Sequence, residues 1–63
     1  MGNKNTEQLF DEMRNLWEAF DADHTKFLDK GVKSAGQRAR KAIGELKKLV
    51  TDYRKASVSE SNN

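Results

Sequence analysis

The chain has 63 residues, with 12 Lys and Arg against 10 Asp and Glu, 35% hydrophobic residues, and neither Cys nor Pro. A domain this small buries only ~60% of the surface of its unfolded chain, and its core supplies ~3–5 kcal/mol. That size excludes an enclosed catalytic pocket of ordinary volume, and the absence of Cys excludes disulfides and Cys/His zinc sites. No enzyme activity, small-molecule substrate, metal or cofactor is therefore expected, and self-association is expected to make up the missing core.

The first element is a helix over about residues 6–30. Asn5 and Gln8 have the spacing of a capping box, and Glu7, Asp11 and Glu12 lie where the helix dipole favours acids. Leu9, Met13, Leu16, Phe20 and Phe27 step along a heptad seam interrupted by Asp23, with Phe10, Trp17 and His24 in a second row one position later. These aromatic residues, with Tyr53, are expected in a core. Gly31 suits the left-handed position that ends a helix, with Val32 placed to touch Phe27 in a Schellman ending. The competing reading is one long helix through Gly31, since a central Gly costs only ~1 kcal/mol.

A turn over residues 31–34 is followed by a second helix over about residues 35–56, with Ser34 and Gln37 as its capping box. Ala35, Ala39, Ala42, Leu46, Leu49, Tyr53 and Ala56 form its seam, flanked by Gly36, Ile43 and Val50. Residues 57–63 hold too little apolar content to dock and are expected to form a flexible tail. The fold class is thus all-α, a two-helix antiparallel hairpin forming a single domain over residues 1–56. Each apolar face is wider than one neighbour needs, so two hairpins are expected to pair into a four-helix bundle or coiled-coil oligomer.

Charge divides at Gly31. Residues 1–30 hold four cations and seven acids, whereas residues 31–63 hold eight cations and three acids. On the second helix Lys33, Arg40, Lys47 and Arg54 recur every seven residues, as do Lys41, Lys48 and Lys55, and Gln37, Gly44 and Thr51 lie between the two rows. The seven cations share the side opposite the seam, with Arg38, Glu45 and Asp52 to one edge. Solvated helix faces ordinarily mix both signs, as the first helix does with Arg14 among Asp11, Glu12 and Glu18. A cationic strip free of acids suits the phosphates of duplex DNA, and the scarcity of neutral amide side chains in it argues against base reading.

From Gly31 onward the string GVKSAGQRARKAIGELKKLVTDYRKASVSES resembles the shared segment of bacterial linker-histone-like proteins. The most specific part is Ala35-Gly36-Gln37-Arg38-Ala39-Arg40-Lys41-Ala42, with Tyr53-Arg54-Lys55 as a weaker echo. Val32 stands where that pattern prefers Asn, and the Lys/Ala-rich tail of some members has no counterpart in these residues, which implies weaker compaction. The resemblance implies a histone-like, nucleoid-associated DNA-binding protein involved in chromosome organisation.

The expected partners are double-stranded DNA, bound without sequence preference, and a second copy of the chain. The DNA-contacting residues are expected to be Lys33, Arg38, Arg40, Lys41, Lys47, Lys48, Arg54 and Lys55. The alternative is a helical interaction module whose basic face meets an acidic protein. No apolar run approaches the ~18 residues of a membrane span, and the polar stretch Met1 to Gln8 is no secretory h-region, so a cytoplasmic, nucleoid-associated location is expected. Gly2 fits a loose lipidation pattern, Ser57, Ser59 and Ser61 could accept phosphate, and His24 lacks a partner that would make it a ligand or base.

Overall fold

Asn5 opens the first helix through a reciprocal pair of hydrogen bonds. Its Oδ1 accepts from the Gln8 N–H at 2.8 Å, and the Gln8 Oε1 accepts from the Asn5 N–H at 3.0 Å. Two of the unpaired donors at the helix start are satisfied in this way. In this computed structural model, which describes residues 4–62, the helix α1 then runs Thr6–Lys30. Gly2 and Asn63 lie outside the described residues.

Gly31 ends α1 at φ 65°, ψ 27°, with its N–H donating to the Phe27 carbonyl at 3.0 Å. Only Gly takes this left-handed conformation without a Cβ penalty. The expected Schellman ending is replaced by the simpler single-bond form, in which the glycine N–H alone reaches back one turn. The helix α2 follows at once and runs Lys33–Ser61. The chain is therefore an all-helical antiparallel hairpin.

Both ends of α2 depart from the sequence reading. Val32 stands at its N-terminal cap with no side-chain hydrogen bond, and its carbonyl accepts from the N–H groups of Ala35 and Gly36. Ser34 is thus inside the first turn and makes no capping box with Gln37. The reason is tertiary. A Cβ at Gly36 would lie 2.8 Å from Phe27 Cδ1, so the ring of α1 packs directly on the α2 backbone and draws the helix start toward the turn. At the far end α2 continues through Ser57 to Ser61, where the composition predicts a tail. There Thr6 donates its backbone N–H and its hydroxyl to the Glu60 carboxylate, at 2.8 and 2.7 Å. A carboxylate from α2 so satisfies the positive N-terminus of α1, and the last turn is held by a partner far away in sequence.

Between these ends the seam is narrow. Leu9, Ala35, Gly36, Ala39 and Ala42 are buried, while Met13, Leu16, Phe20, Leu46 and Leu49 are half-buried. Phe10, Trp17, Phe27 and Tyr53, expected in the core, are instead 53%, 52%, 43% and 37% exposed. A hairpin gives each helix one neighbour, which leaves Phe10 and Trp17 beside the seam uncovered and covers Phe27, on Gly36, and Tyr53 only in part. The result is a rod of 48 × 16 × 15 Å.

Candidate nucleic-acid interface

The long second helix sets the geometry of the site. Positions seven apart fall on nearly the same side of a helix, ~10.5 Å apart along its axis at ~1.5 Å per residue. Because α2 is unbroken from Lys33 to Ser61, the rows Lys33, Arg40, Lys47, Arg54 and Lys41, Lys48, Lys55 lie on one rigid element, facing away from α1. All seven residues are exposed, and none is in an ion pair among the described residues. No acid interrupts the rows. Gly44, between them, has open space where its Cβ would be.

Arg38 differs from the other seven. Its Nε donates to the Asp23 carboxylate of α1 at 3.1 Å, and that carboxylate is largely buried. The guanidinium is thereby drawn toward the edge between the helices. This pairing also explains the Asp at a seam position of α1: the charge is compensated from the opposite helix. Lys48 borders a groove with Glu12, Asn15 and Glu45, and Lys55 borders another with Asp52 and Glu60. These two lysines therefore stand at the junction of the cationic side and a mixed-charge side.

The acidic residues of α1 are engaged locally or left outward. Lys4 pairs with Glu12, and Arg14 lies 3.6 Å from Asp11 with its guanidinium 5.0 Å from the Phe10 ring centroid. Trp17, Phe20 and His24 form a short run of rings, with centroids 5.4 and 5.7 Å apart and the latter pair stacked. These rings are on α1, away from the cation rows, so they do not form a base-stacking platform beside cations.

Glu60 was no part of the sequence-predicted site, yet among the described residues its acidity is the one that departs from the ordinary value. The Thr6 hydroxyl, and after it the Thr6 backbone N–H, hold its carboxyl below the ordinary carboxylate range. Nothing local in the sequence signals it, because its partner is 54 residues away. Among the described residues there is no cluster of His, Asp or Glu able to hold a metal ion, and no helix is long and apolar enough to cross a membrane.

Residues 7–63 match the family model described as histone H1-like protein Hc1. No curated protein and no solved structure matches the chain.

Proposed function

Because the chain belongs to the histone H1-like Hc1 family of DNA-binding proteins, we propose that it binds duplex DNA by laying the outer side of α2 against phosphates, with little choice of sequence. The observation that supports this most is the set of seven exposed cations on one unbroken helix with no acid among them. Lys33, Arg40, Lys41, Lys47, Lys48, Arg54 and Lys55 make the phosphate contacts, and Arg38, shared with Asp23, contributes from the margin. Charge attraction of this kind positions a protein on DNA without reading bases. The protein acts as a homo-oligomer, is associated with the nucleoid, and has a structural rather than catalytic role in chromosome organisation.

The test is a salt titration. Affinity of the parent for random duplexes falls with a log–log slope of roughly −0.9 per phosphate neutralised. Replacing Lys41 and Lys48 together by Gln leaves helicity intact, since Lys and Gln have nearly equal helix propensity, and makes the slope shallower by about 2. Sequence changes in the duplex leave both affinities unchanged. A parent indifferent to salt, or a folded variant with unchanged affinity, overturns the proposal in favour of an acidic protein partner for the same face.

A further inference from the structure

The hairpin has two unlike broad sides. In an antiparallel pair, the positions one after each seam residue fall on the same side, because reversing a helix reverses the sense in which its side chains wind. On α1 that row is Phe10, Trp17 and His24, and on α2 it is Gly36, Ile43 and Val50; the four large apolar side chains among them, Phe10, Trp17, Ile43 and Val50, are all exposed, as is His24. The other side carries Glu12, Asn15, Glu45 and Lys48, which line a common groove. One side of the rod is therefore apolar along much of its length and the other is charged. A contiguous apolar side with a half-exposed Trp marks an interaction surface.

We propose that a second copy of this chain covers the apolar side, related by a two-fold axis parallel to the long axis of the hairpin. Each α1 then lies against the α2 of the other copy, antiparallel to it. A self-complementary contact through this side has two closed forms, with the axis along the rod or across it. The crosswise form sets α1 on α1 and α2 on α2, which brings acids to acids and cations to cations. The lengthwise form brings opposite charges together.

The register strengthens the choice. A two-fold axis along the rod permits no axial slip, so the levels within one hairpin are also the levels between copies. Those levels are fixed by Thr6 opposite Glu60, Asp23 opposite Arg38 and Phe27 opposite Gly36. The same ladder puts Arg40 near the level of Asp21 in the second copy, Lys47 near Glu18, and Arg54 between Glu7 and Asp11. Arg40, Lys47 and Arg54 border the apolar side on α2, and on α1 Glu7 and Asp21 border it, with Glu18 one row further out. All six are exposed and in no ion pair among the described residues. Arg14, on the same rim of α1, is held over Phe10 beside Asp11.

This arrangement has a functional consequence that rests on the phosphate reading above. The two copies of α2 occupy diagonal corners of the four-helix bundle, so their cationic strips face opposite directions. The dimer is then two-headed and joins two duplexes side by side, with Lys41, Lys48 and Lys55 of each copy turned fully outward to phosphate, while Arg40, Lys47 and Arg54 at the edge of the strip are shared between phosphate and the acids of the other copy.

Charge reversal on the full chain, read by sedimentation equilibrium, tests the geometry without touching the seam. Asp21→Lys weakens the dimer about fivefold or more, since two symmetry-related pairs change sign, and adding Arg40→Glu to the same chain restores it. The crosswise form gives the opposite result: Asp21→Lys relieves acid repulsion and strengthens the dimer. That outcome, or a folded parent that stays monomeric with Trp17 emitting as in water, overturns the proposal. For bridging, a biotin-labelled duplex on beads retains a second, fluorescent duplex when the parent is added. The folded variant Ile43→Gln, weakened in dimer formation, still shifts a single duplex but retains less of the second. A parent that binds DNA as a dimer yet captures no second duplex overturns the two-headed arrangement. A parent that binds no DNA defeats the phosphate reading, and the charge-reversal result then decides the dimer by itself.

Discussion

The two ends of the hairpin are built on different principles. Near the turn, Ala35, Gly36 and Ala39 are buried and the Phe27 ring meets the bare Gly36 backbone. Small residues allow close approach of the helices, but each removes little apolar area from water. At the open end one large side chain, Leu9, is 2% exposed, and the helix termini are tied by the Glu60 carboxylate on Thr6. Burying a Leu contributes ~1.5–3 kcal/mol. Close backbone approach holds the turn end, and one plug with a polar clasp holds the other.

Breaking the plug is expected to have the largest effect. Leu9→Ala removes the only fully buried large side chain among the described residues and costs ~2–5 kcal/mol, comparable with the whole core of so small a domain. Circular dichroism should show loss of most helix at ambient temperature, and a change in denaturation midpoint equivalent to less than 1 kcal/mol would mean the open end is held by something else. Next is Gly36→Val, which forces the branched side chain into the Phe27 ring and costs ~1–3 kcal/mol by overpacking. If urea denaturation shows no loss, the ring moves freely and the close approach is not what secures the turn end. Smaller again is Gly31→Ala. Its left-handed backbone, φ 65°, costs an L-residue ~1–2 kcal/mol, partly recovered from the lower entropy of the unfolded chain.

The clasp gives the smallest effect and a pH signature. Because the folded-state acidity of Glu60 lies below the ordinary carboxylate range, its contribution is present above that range and is lost as pH falls through the folded value. The Thr6 amide resonance should follow this protonation, with α2 fraying from Ser61 inward. In Glu60→Gln the Thr6 resonance should be flat over the same acid range, and a titration that persists there would place its cause in another carboxylate.

How much of this could be read beforehand depends on the range of the cause. The Asn5–Gln8 cap, the bend at Gly31 and the seam of Ala35, Ala39 and Ala42 are set by neighbours within a turn or two, so local chemistry predicted them. The start of α2 at Lys33 and its extension to Ser61 are decided by Phe27 on Gly36 and by Thr6 on Glu60, contacts that appear only once the helices are aligned. The cation rows were legible because heptad spacing survives any register. Arg38 was already set apart at the edge with Glu45 and Asp52, but its capture by Asp23 was not legible, because it depends on which level of α1 it faces. The aromatic residues were assigned to a core on the width of the apolar face, and the single hairpin shows that width to be more than one neighbour can cover.

The clasp at the open end also orders events in time. Contacts near Gly31 join residues close in sequence, whereas the bond from Thr6 to Glu60 closes a span of 54 residues. Loop-closure entropy rises with the length of chain enclosed, so a hairpin of this kind zips from the bend outward, and the clasp forms last. In the reverse direction it opens first, through local fluctuations that leave the bend intact. Amide hydrogens should therefore exchange fastest among the final turns of α2 and slowest around Ala39 and Ala42, a gradient running along the rod toward its bend.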